Sequence, residues 1–218
     1  MKNKLFFLFI FLISLYTLAI VRATSLPLFG KVIYLDPGHG GPDPGAVWEN
    51  IYESDINLQI SLAIEKELEK NGAIVYLTRY GDYDLSANYA ELRKRSDLSR
   101  RANIINRSGA DVYLSIHLNA DVSTTWKGAQ VFYNSINEKN EEIAKIMQEQ
   151  LGKDLNSKRE YKKLNDHYLY NRVNIPGVLI EVGFISNANE RYLLRQKDYQ
   201  KKVAKSIKDG LISYFTKN

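Results

Sequence analysis

The sequence predicts a single α/β domain with a mainly parallel central sheet flanked by helices on both faces. Two observations predict it. Short runs that are apolar throughout recur along the chain, and such runs suit strands covered on both sides. Between them lie longer segments with apolar residues at helical spacing, so strand and helix alternate without an internal repeat or a second core.

The elements follow in order. Residues 31–36 (KVIYLD) read as a buried strand feeding the Gly/Pro-rich stretch 37–45 (PGHGGPDPG). Residues 55–71 read as a helix, with Ile56, Ile60, Ala63, Ile64 and Leu68 on one stripe and Asn71-Gly72 as its stop. A second strand over 73–78 (AIVYLT) and a polar loop to about Tyr89 precede a helix over 90–107, whose stripe is Leu92, Leu98, Ala102 and Ile105. Strands are expected over 111–116 (DVYLSI) and 128–133, followed by a helix over 138–151. A Lys- and Asn-rich loop then runs to His167 before a fifth strand over 178–182 (VLIEV). Helices over 189–195 and 199–215 close the domain.

Composition narrows the function classes. With 44% hydrophobic and 25% charged residues among 218, the chain suits a globular domain rather than a disordered or fibrous one. It contains no cysteine, which excludes disulfides, thiolate ligands and cysteine nucleophiles, so any metal must be held by histidine and carboxylate. Residues 1–24 stand apart. Lys2 and Lys4 precede an uncharged run from Leu5 to Val21, the layout of a signal peptide or a membrane anchor, and Val21-Arg22-Ala23 offers small residues where a signal peptidase cuts. The expected domain is therefore 30–216, lying outside the cytoplasmic membrane, with membrane contact only through the leader if it is retained. Setting aside Lys2, Lys4 and Arg22 takes the formal net charge from +5 to +2, so the basicity is partly an export signal and no nucleic-acid partner is expected. A basic cluster at Arg93, Lys94, Arg95, Arg100, Arg101 and Arg107 reads as a solvated helix face.

Three histidines are present, His39, His117 and His167. His39 follows the first strand and His117 the third, and in a parallel sheet those C-terminal ends share one edge, where such folds place ligands. Glu53, at the start of the first helix, could complete a His-Glu-His set that leaves a fourth position to water, although taken alone it reads more readily as a first-turn carboxylate favoured by the helix dipole. Glu181 interrupts the apolar stretch 178–185. A carboxylate there is either a structural ion pair or a general base whose pKa is raised by its surroundings.

Five segments, in order, carry a family resemblance: LDPGHGG (35–41), ESDINL (53–58), LTR (77–79), SIHLN (115–119) and IEVGFISN (180–187). Together they resemble the zinc-dependent N-acetylmuramoyl-L-alanine amidases, over essentially all of the chain after the leader. The resemblance implies that His39, Glu53 and His117 bind one Zn2+, that Glu181 is the catalytic carboxylate, and that peptidoglycan is the partner. It leaves His167 without a role and gives none to Arg79 or Asn119; an accessory protein is left open. The small single domain and leader are most similar to germination-specific members from spore-forming bacteria, which implies action on spore cortex. A non-catalytic peptidoglycan-binding module and a zinc peptidase acting within the stem peptide are the rival readings.

Overall fold

The computed structural model describes residues 2–24 and 26–217, with side chains described for 4–17 and 26–217. The N-terminal segment forms helix α1 (Lys2–Thr24), whose apolar side chains from Leu5 to Ile13 are exposed. Among the described residues no helix is long and apolar enough to cross a membrane. The expected cleavage point after Ala23 lies outside the described side chains.

The domain runs β1 (Val32–Pro37), β2 (Val47–Trp48), β3 (Ile51–Tyr52), α2 (Glu53–Glu69), β4 (Ile74–Leu77), α3 (Arg93–Arg107), β5 (Val112–Asn119), β6 (Gln130–Tyr133), α4 (Asn140–Leu155), β7 (Lys162–Lys163), a short 3-10 turn (Tyr170–Arg172), β8 (Gly177–Phe184), α5 (Ala188–Leu194) and α6 (Lys197–Lys217). Among the described residues these strands form a six-stranded sheet in the order β4-β1-β5-β8-β6-β7, plus the small β2-β3 hairpin. Pairing is parallel from β4 to β8, whereas β6 runs antiparallel to β8. The expected α/β class and single domain are what the chain adopts.

Side-chain alternation divides the sheet into two faces. Ile33 and Leu35 of β1, Val112, Leu114 and Ile116 of β5, and Val178, Ile180 and Val182 of β8 enter the larger core with α2, α4 and α6. The intervening residues Tyr34, Tyr113 and Leu179 face the other way, into a smaller cluster with Ala102 and Ile105 of α3 and Tyr170. That thinner layer sets the place of the site. On the same face, further toward the C-terminal ends, come Asp36, Ser115, His117 and Glu181, with Asp36 paired to Ser115 and His117 to Glu181 in register.

Three differences from the sequence reading have physical causes. Lys162–Lys163 adds a strand beyond β6 that the polarity of 156–167 concealed, since an edge strand tolerates charged side chains on both faces. The β2-β3 hairpin turns on Glu49 and Asn50, both at positive φ, and two-residue strands carry no periodicity to read. Arg101, expected on a solvated face, is 1% exposed because Asp36 and Asp97 neutralise it from within.

Candidate metal centre

The loop after β1 carries His39, at φ +63°, between glycines that leave room for the site. A Cβ on Gly38 would collide with the His117 ring, and one on Gly45 would sit 2.6 Å from Glu53 Oε2 and 2.7 Å from His39 Cδ2. Bare backbone at these positions lets the loop close over the two imidazoles.

Glu53 opens α2 and is buried. Its Oε1 lies 3.0 Å from His117 Nδ1 and 3.3 Å from His39 Nε2. The same oxygen accepts the Leu118 N–H at 3.1 Å and the Asn57 Nδ2 group at 3.1 Å, while Oε2 accepts the Ala46 N–H at 2.9 Å. Burial alone would push the Glu53 carboxyl up, but the hydrogen bonds and charges of His117 and His39 hold it far below the usual carboxylate range. His39 is turned by Asp43, whose Oδ2 lies 3.0 Å from Nδ1 and 3.1 Å from Lys94 Nζ. Burial pulls the His39 pKa down, yet Glu53 and Asp43 raise it on balance.

The donor set fits a metal. One ligand atom each from His39, Glu53 and His117 lie within 4.8 Å of one another. A tetrahedral ion with bonds of about 2.0–2.1 Å separates its ligand atoms by about 3.3 Å, close to the spacings seen around Glu53. Asp43 stands behind one imidazole in the manner of the outer carboxylates that orient metal-binding histidines.

Two guanidiniums fix this loop from beneath. Arg101 Nε reaches Asp97 at 3.0 Å, Nη1 reaches Asp36 Oδ1 at 2.9 Å and the Pro37 carbonyl at 2.8 Å, and Nη2 reaches the His39 carbonyl at 2.7 Å. Arg79 donates to the carbonyls of Pro37, Gly38 and Ser54 at 2.9, 2.9 and 2.8 Å. Burial would raise the Asp36 pKa, but Arg101, Thr78 and Ser115 together hold it at about 2. Arg79, which the sequence left without a role, is thus a clamp on the loop that carries His39. Arg101 sits among exposed cations on α3 and Arg79 just past the end of β4, so no local pattern marked either as buried.

Glu181 of β8 pairs in register with His117 of the neighbouring β5 and lines the same cavity, of about 380 Å3, as His39 and Glu53. Its Oε2 is buried without a hydrogen-bond partner, and among the described residues it forms no ion pair. Burial first, and the Glu53 charge second, push its pKa up to about 8. Asn119 and His167 line the cavity too, Asn119 beside an irregularity in the β5–β8 register and His167 with its ring 4.2 Å from that of Tyr170. Burial, with the His117 charge next, pulls His167 down to about 4, so it stands there as a neutral imidazole. The topology brings it to the cavity through the polar segment before β8, which no local pattern marked.

Residues 33–213 match the family model of N-acetylmuramoyl-L-alanine amidases. The germination-specific N-acetylmuramoyl-L-alanine amidase of Bacillus subtilis (strain 168) is 47% identical over 196 residues, covering 88% of this chain and 83% of the relative. The structure of the CwlD amidase from Clostridioides difficile, in complex with the GerS lipoprotein, superposes with a TM-score of 0.82 at 38% identity, over 87% of this chain and 100% of that one. The catalytic domain of CwlV, an N-acetylmuramoyl-L-alanine amidase from Bacillus (Paenibacillus) polymyxa var. colistinus, superposes with a TM-score of 0.75 at 29% identity, over 85% and 98% of the two chains. A family match that spans the whole sheet, joined by relatives alike in both sequence and fold, places this chain among the N-acetylmuramoyl-L-alanine amidases, enzymes that cleave the amide between N-acetylmuramic acid and L-alanine in peptidoglycan.

Proposed function

We propose that the amidase uses one Zn2+ held by His39, Glu53 and His117, with Glu181 as the proton-transfer group. The observation that carries this reading is the unpartnered Glu181 carboxyl facing a converged His-Glu-His set in one cavity. A zinc ion there would polarise the lactyl carbonyl and acidify the attacking water. Glu181 accepts the proton of that water and returns it to the L-alanine nitrogen as the C–N bond breaks, so the amine leaves neutral. A pKa raised toward neutrality suits a group that must take a proton and then give it up. Asp43 keeps the His39 ring in orientation, and Arg79 and Arg101 keep its backbone from moving.

The narrower setting is part of the same proposal. Residues 1–24 carry the domain (30–216) across the cytoplasmic membrane, as a cleaved signal or as an anchor. The substrate is spore cortex, where removal of the peptide prepares muramic acid for lactam formation; support comes from the name of the 47% identical relative. An accessory protein fits the solved relative that is bound to a lipoprotein.

The test is digestion of purified peptidoglycan with wild type and with His117→Ala, alongside metal analysis. One zinc per chain, free lactyl groups and new L-alanine amino ends are expected from wild type, with zinc and activity both lost in the variant. Full zinc content in His117→Ala would overturn the ligand set, and new amino ends elsewhere in the stem would overturn the assigned bond.

A further inference from the structure

A second cleft opens beside the catalytic cavity, and Lys94 and Leu98 line both. One wall is the first turn of α3, with Arg93, Lys94 and Arg95, preceded by Leu92 and by Glu91, the one acid that lines the cleft; the other is formed by Tyr168 and Arg172, just before β8. The cations differ in what they face. Arg93 is engaged by Asp84 at 2.7 and 3.0 Å, and Lys94 by Asp43 at 3.1 Å. Arg95 and Arg172 have no carboxylate partner among the described residues.

Both free guanidiniums are instead organised by one aromatic ring. Arg95 Nε donates to the Tyr168 hydroxyl at 3.0 Å, and its guanidinium lies 5.4 Å from the ring centre. Arg172 lies 3.5 Å from the same centre, and its Nη1 donates to the Tyr168 carbonyl at 3.0 Å. Ser99 shares the hydroxyl at 2.9 Å and fixes the ring from α3. A guanidinium stacked on an aromatic face keeps edge N–H groups for a planar anion, and its side chain is already ordered before binding. Helix energetics does not account for this crowding, because the dipole disfavours cations in a first turn and α3 has no acid there.

We propose that this cleft is a carboxylate subsite for the stem peptide beyond L-alanine, with Arg95 and Arg172 as its binding residues. The proposal deepens the amidase activity and rests on it. The unit after L-alanine is a glutamyl residue joined to the next residue through its side-chain carboxyl, which leaves its α-carboxylate free. An extended chain advances only about 3.5 Å per residue, so a cleft that shares a wall with the cavity is within reach of that group. The leaving peptide would then be gripped by its acid, while the scissile amide is presented to Glu181.

The experiment offers the zinc-loaded protein two muropeptides that differ only at that α-carboxyl, one as the free acid and one as the carboxamide. Wild type is expected to show a KM about tenfold lower for the acid, with the ratio shrinking as salt rises. The double variant Arg95→Gln, Arg172→Gln is expected to bring the ratio to about one, while Arg95→Lys, Arg172→Lys retains part of it. Equal KM values for the two stems in wild type, or an undiminished acid preference in the glutamine variant, would overturn the subsite alone. Failure of wild type to cleave either muropeptide would overturn the amidase assignment and the subsite with it. The wild-type comparison needs no variant to fold.

Discussion

At the residue scale, Glu181 joins an orphaned, buried oxygen to a pKa near 8. Glu181→Gln keeps shape and volume but cannot carry a proton, so amide cleavage should fall by about 10²–10⁴-fold while zinc stays bound. Retained activity in that variant would remove Glu181 from the mechanism. The same residue makes a prediction for the metal-free protein. Its folded-state pKa lies above the unfolded value of 4.5, so the folded chain prefers the protonated form. That stability is present below the unfolded pKa and is lost as pH rises through about 8. His39, also raised, acts in the same direction. Chelated wild type should therefore melt lower at pH 9 than at pH 6, and Glu181→Gln should show a smaller drop because the Glu181 part is gone. An identical drop in both proteins would argue against a buried proton at this position. The residue stood out in the sequence from its place in an apolar run; its lack of an ion-pair partner was visible only in the folded chain.

The catalytic elements depend on how the loop after β1 is held. Three consecutive carbonyls, those of Pro37, Gly38 and His39, receive guanidinium hydrogen bonds from Arg79 on one side and Arg101 on the other. Arg101→Met would strand Asp36, a carboxylate 1% exposed, and should destabilise the domain by about 3–5 kcal/mol. It should also weaken zinc binding, since the His39 carbonyl loses its anchor; a melt and a zinc titration on the same variant check both. An unchanged melt would mean that Asp36 finds another partner. Gly38→Ala tests the loop differently. Its Cβ enters the space of the His117 ring, so zinc affinity should drop by at least tenfold with the sheet intact, as read by metal analysis and circular dichroism. Normal zinc affinity in Gly38→Ala would show that the ring can shift freely. The motif around His39 was legible as a ligand loop, but its two clamps were not. Arg101 shares α3 with truly exposed neighbours such as Arg100, and only Asp36, 65 residues away, draws it inside.

At the scale of the whole molecule, the leader role proposed for residues 1–24 makes its own prediction. The apolar side chains of α1, from Leu5 to Ile13, are exposed and take no part in the domain's core, in keeping with the proposed leader. A reporter fused behind the leader should be active only outside the cytoplasmic membrane. Mature protein starting near Thr24 would identify a cleaved signal, and retention in washed membranes an anchor; a soluble cytoplasmic product with Met1 intact would sink both.

The sequence by itself determined the alternation of buried strands and amphipathic helices, the edge at which His39 and His117 meet, and the anomaly of Glu181, because these are patterns of local burial and strand order. Tertiary structure decided which face of the sheet the site occupies. A strand's side chains alternate with a period of two, so the register of β1, β5 and β8 places Asp36, Ser115, His117 and Glu181 together on the side with the single covering helix α3. It also decided that β6 runs antiparallel, that His167 reaches the cavity, that Arg101 is a clamp rather than a surface charge, and that Arg79 is its counterpart. Each of these depends on a partner distant in sequence, and a charged side chain carries no local mark of the carboxylate or carbonyl that will bury it.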